Sequence, residues 1–288
     1  MSVPAEPGAA AAGAMTREQI EALIYGSLGT SRFTQDSPIL PDVWIRYAEE
    51  PQRQQEVLIT PFQDPRLGST TPGELATTLR SILRREDARH PPGPASGRPG
   101  ARPAQVAYNQ TTVFARLWFD ELVRVVMPLS AWWHRLKNRR EMLERLQDAD
   151  GRAVLVDALL APLARGGLPG DLVWMVLVIG SIELLRSRGE DRAPGVLTED
   201  ELRERPEAER RAYYGALVDR VAALARGLET AEWGGLRPMV WSVSLNRRAR
   251  ATIFRSRATV KADAAVRLFD ITCRDLAWVV VDTGIDAR

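Results

Sequence analysis

The residues best suited to chemistry stand near the end of the chain, in the run Val279-Val280-Val281-Asp282-Thr283-Gly284-Ile285-Asp286. An aspartate that closes an apolar strand is half-buried and held by backbone donors. It can orient an imidazole and stabilise the imidazolium that forms during acyl transfer. Thr283 can hydrogen-bond within the following turn, and Gly284 permits a backbone angle that other residues resist. Asp282 is therefore the candidate catalytic residue, with Thr283 and Gly284 supporting its turn. The chain has only two histidines, His90 and His134, and one cysteine, Cys273. One thiol excludes an intramolecular disulfide framework and a four-thiolate metal site. His90 lies beside two prolines and reads as solvent-exposed. His134 neighbours Trp133, with no acid or thiol at ligand spacing, and reads as a surface or interface histidine. No cofactor and no metal are expected.

The elements that would position Asp282 occupy residues 234–288. Residues 239–245 alternate as a strand, 251–255 and 258–261 lean towards β, and 262–271 form a helix with Ala265, Leu268 and Phe269 inward. Residues 276–281 are a continuous apolar run, which suits a buried strand of a parallel sheet. A helix, a strand and then a polar loop at the strand's carboxyl end is how an open α/β sheet presents a site.

Upstream the chain reads differently. Residues 1–14, rich in alanine and glycine, are expected to be a disordered tail, and 15–87 a small mixed α/β segment. That segment holds a helix over 16–28, a short helix at 43–48, a strand at 56–60 and a helix at 72–86. Thr71 caps the last of these, with Pro72 at its first position and Glu74 completing a capping box. Residues 88–105 are rich in proline and glycine, a linker or exposed loop. Residues 106–233 read as a helical region: two helices over 110–148 broken at Pro128, then helices at 152–165, 171–187 and, after a break at Pro206, up to about residue 229. Tyr214, Leu217, Val221, Leu224 and Leu228 line one face of the last helix, a pattern that serves core packing more often than a partner seam. The fold class expected is a mostly α N-terminal region followed by the start of an α/β domain with an incomplete parallel sheet, α+β overall.

The stretch around Asp282 resembles the aspartate motif of subtilisin-like serine peptidases: an apolar strand, then Asp-Ser/Thr-Gly-Ile/Val, and soon afterwards an Asp, Asn or His. The resemblance covers the last ten or so residues closely and residues 262–286 more loosely, with Trp278 where a small or β-branched residue is usual. It implies a subtilisin-like α/β domain in which Asp282 is the triad aspartate, acting on peptide bonds. Strand-Asp-Thr-Gly is also similar to the catalytic loop of pepsin-like proteases and occurs in phosphate-binding and sugar-kinase folds. A pepsin-like site needs two such loops in β-rich lobes, and this chain has one after mostly helical sequence. Gly29-Thr30-Ser31 mimics the start of the family's nucleophile motif, but it precedes the aspartate and continues into Arg32. In the family order the histidine and serine follow the aspartate, and only six residues follow Asp282. The expectation is thus the N-terminal part of a subtilase, inactive by itself, with a protein or peptide as substrate of the whole enzyme.

Composition narrows the partners. The 288 residues are 45% hydrophobic and 26% charged, with a formal net charge of +2. So balanced a charge gives no global field for nucleic acid. The acid-free cluster Arg247, Arg248, Arg250, Arg255 and Arg257 is the one basic feature that admits it, and ion pairing is the plainer use. The longest apolar run, 172–182, falls short of the roughly 20 residues that span a bilayer, and the first residues lack a secretory signal pattern. A cytoplasmic protein without a membrane segment is expected. The alternative to a peptidase is a non-enzymatic helical interaction or regulatory protein, with a protein partner on the 214–228 stripe or the arginine cluster.

Overall fold

Strand β1 (Gln55–Pro61) alternates strictly, with Gln55, Val57, Ile59 and Pro61 buried and Glu56, Leu58 and Thr60 turned outward. It is a central strand of a four-stranded antiparallel sheet ordered β4-β5-β1-β6. A computed structural model describes residues 37–64, 68–89, 104–135, 139–160, 173, 175–186, 197, 199–226, 228 and 237–247. The chain divides into two units, Met1–Asn246 and Arg247–Arg288. The architecture of the first is α+β.

Helix α1 (Pro41–Glu49) buries Val43, Trp44, Ile45, Tyr47 and Ala48. After β1, the short strands β2 (Gln63–Asp64) and β3 (Gly68–Ser69) pair as a hairpin. Helix α2 (Pro72–Arg89) then buries Leu75, Leu79, Ile82, Leu83 and Glu86, a stripe at helical spacing. Its capping box is as expected: Glu74 Oε2 accepts from the Thr71 N–H at 2.8 Å, and Thr71 Oγ1 accepts from the Glu74 N–H at 3.2 Å.

The region after residue 105 departs from the expected helices. Residues 105–117 are a β-hairpin, β4 (Gln105–Tyr108) and β5 (Val113–Leu117), and not the beginning of a helical region. Val113, Ala115 and Leu117 alternate inward. Asn109 sets the turn, its Oδ1 accepting from the N–H groups of Thr111 and Thr112 at 2.9 and 2.8 Å. β1 pairs with β5, so elements on both sides of the Pro/Gly-rich stretch share one sheet.

Helix α3 (Phe119–Glu121) runs on as a π-helical turn, Leu122–Val126, and a 3-10 turn, Met127–Leu129. The break expected at Pro128 is there. Ser130 closes that turn, its Oγ donating to the Met127 carbonyl at 2.6 Å. The same oxygen caps α4 (Ala131–Arg135) by accepting from the Trp133 N–H at 3.2 Å. Helices α5 (Arg139–Gln147) and α6 (Ala149–Leu160) follow. A second π-helical turn, Met175–Ile179, leads into α7 (Gly180–Arg186), nearly all buried, as the apolar run implied. After α8 (Glu199–Arg203), Pro206 opens α9 (Glu207–Ala225). Leu217, Val221, Leu224 and Leu228 of the expected stripe are buried in the core of the unit itself.

Strand β6 (Val240–Leu245) lies where a strand was expected, in the stretch read as the lead-in to a separate α/β domain. It is an edge strand of this sheet, antiparallel to β1. The register shifts between Thr60 and Pro61, which leaves Trp241 as the extra, exposed residue. Pro61 has no N–H for the ladder, and the bulge turns Val240 inward alongside Val243. The outer edge of β6 is held by parallel bridges from Ile39 to Val243 and from Ser130 to Val240. Among the described residues every named strand pair is antiparallel; the run 276–281, expected as a parallel strand, lies outside them. Among them, too, no helix is long and apolar enough to cross a membrane.

Candidate functional site

Asp282, Thr283 and Gly284 lie outside the described residues, as do His90, Cys273 and the arginines from 248 to 257. His134 is half-buried in the last turn of α4, its backbone N–H donating to the Ser130 carbonyl at 3.3 Å. Among the described residues no three His, Cys, Asp or Glu side chains are grouped to hold a metal ion.

The polar feature that the described residues do bring together is a buried cluster of charges around Arg124. Asp120 and Glu121 stand in the first turn of α3, each less than 5% exposed, because the chain leaves β5 directly into a helix packed on the core. Glu121 has a capping role: its Oε2 accepts from the Trp118 N–H at 2.8 Å. Arg124 follows one turn later, in the π-helical segment, and reaches the end of α9. Its Nε donates to the Leu224 carbonyl and its Nη2 to the Ala223 carbonyl, both at 3.2 Å. These carbonyls belong to the last turn of a helix, where hydrogen-bond acceptors lack partners and the dipole favours a cation.

Glu183 of α7 is 4% exposed, and both of its oxygens accept from Arg186 Nε at 3.0 Å. Burial pushes the Glu183 carboxyl above its ordinary range; Arg186 pulls it down and Asp120 pushes it up again. Burial likewise lowers the Arg124 guanidinium, which Asp120, Glu86 and Glu183 hold up. Tyr47 stands at the rim, fully buried, donating to the Leu117 carbonyl at 2.9 Å. Burial, and then the carboxylates of Glu121 and Asp120, raise its phenol well above the usual value. Arg124 thus ties the helix after β5 to the end of α9, and Tyr47 ties α1 to the end of β5.

Its chemistry is that of charged groups under low dielectric, where removing one partner of a pair is costly. The sequence carried a signal for it: Asp120, Glu121 and Arg124 interrupt the apolar run from Trp118 to Leu129, and Glu183 interrupts the run from Val173 to Leu185. Charges inside such runs are buried and paired, or they would not be tolerated.

A groove of about 390 Å³ lies between α2 and β4, lined by Arg80, Leu83, Arg84, Asp87, Ala104 and Val106. Arg80 donates from Nε and Nη2 to the Val106 carbonyl at 3.3 and 2.8 Å, and its guanidinium sits 5.8 Å from the Tyr108 ring centre. An arginine on that carbonyl blunts an edge strand that could otherwise pair with another chain. No protein-family model, curated protein or solved structure matches this chain.

Proposed function

We propose that this chain carries the aspartate-bearing part of a subtilisin-like serine endopeptidase. The stretch Val279-Val280-Val281-Asp282-Thr283-Gly284-Ile285-Asp286 is the observation that supports this reading. In that chemistry Asp282 accepts the Nδ1–H of a histidine, fixes its tautomer and stabilises the imidazolium. The other ring nitrogen deprotonates a serine, which attacks the peptide carbonyl. Thr283 and Gly284 shape the turn that holds the carboxylate. Residues 276–281 supply a strand of a parallel sheet, with Asp282 at its carboxyl end. The substrate is a protein or peptide, the setting cytoplasmic, and the chemistry calls for no cofactor.

The family order puts the histidine and the serine after the aspartate. The reading therefore requires both in the coding sequence beyond residue 288, and residues 1–288 alone should hydrolyse no peptide. Translating past that codon should give His-Gly-Thr and then Gly-Thr-Ser-Met-Ala; a stop codon with neither overturns the reading. A fluorophosphonate probe should label the longer product, and Asp282→Asn should slow labelling by roughly 10⁴-fold. Unchanged labelling in that variant would remove Asp282 from the triad.

A further inference from the structure

We draw no further inference here: the strongest candidate, the buried cluster of Glu86, Asp120, Glu121 and Glu183 around Arg124 and Arg186 at the end of α9, belongs to the site already described and is a group of acidic side chains with nothing beside it that points to a ligand.

Discussion

Arg124 donates to the main-chain carbonyl of Leu224, a hundred residues away in sequence, at 3.2 Å. The contact closes the last turn of α9 with a side chain from the helix that follows β5. Because Arg124 also faces Asp120, Glu86 and Glu183, it acts on one helix end and three carboxylates at once.

Arg124→Met should therefore destabilise the first unit by about 3 kcal/mol, the scale for removing one partner of a buried ionic group. Urea unfolding of the full chain measures this. A loss below about 1 kcal/mol would mean that the carbonyls and carboxylates are satisfied without Arg124.

The pH dependence has a defined sign. Burial raises the Glu183 carboxyl above its ordinary 4.5, outweighing Arg186, so the folded chain keeps a proton that the unfolded chain has released. Its contribution is fully present below about pH 4.5 and is lost as pH rises through the folded-state value. Glu183→Gln cannot ionise, so its stability relative to the native chain should improve as pH rises from about 4.5 through the folded-state value, and level off above it. Parallel urea midpoints across that range would contradict the shift.

Two glycines should respond oppositely to alanine. A Cβ on Gly180 would stand 3.0 Å from the Leu217 carbonyl oxygen and 3.1 Å from its Cβ, where α7 and α9 touch. Gly180→Ala should cost about 1–3 kcal/mol by overpacking. A Cβ on Gly215, inside α9, meets nothing within 4 Å, and Gly215→Ala should stabilise by roughly 0.5–1 kcal/mol. Thermal unfolding midpoints that move in the same direction for both would refute the packing argument.

Thr71→Ala removes one half of the capping box of α2 and should cost about 1 kcal/mol. The Thr71 backbone N–H and hydroxyl hold the Glu74 carboxyl below its ordinary value, so this support is present above that value and fades as pH falls through the lowered one. Titration of Glu74 by NMR should show the value rising towards the ordinary one in the Thr71→Ala variant.

What could be read from the amino acids was what local chemistry decides. Thr71, Pro72 and Glu74 announce a helix start within four residues, and Pro128 and Pro206 mark breaks wherever they fall. The hairpin β4–β5 was hidden because its strands span only four and five residues, too few to show alternation against a background of helices. Residues 240–245 alternate visibly, yet alternation cannot say that the partner is β1 rather than a strand downstream. Glu183 closes the apolar run 172–182 in the sequence; in the fold it is buried with the rest of α7 and paired with Arg186, three residues on. Asp282, Thr283 and Gly284 are legible as a motif and lie outside the described residues, so the candidate site rests on sequence chemistry.

The pairing of β1 with β6 also sets an order in time. β1 ends at Pro61 and its partner begins at Val240, so a ribosome must add nearly the whole first unit before the sheet can close. Until then the edge of β1 that will receive β6 has no strand beside it, and contacts so distant in sequence are slow to form. A chain cut at residue 233, where the composition changes, would carry that bare edge permanently. It should aggregate, whereas a chain cut after Asn246 should remain dispersed.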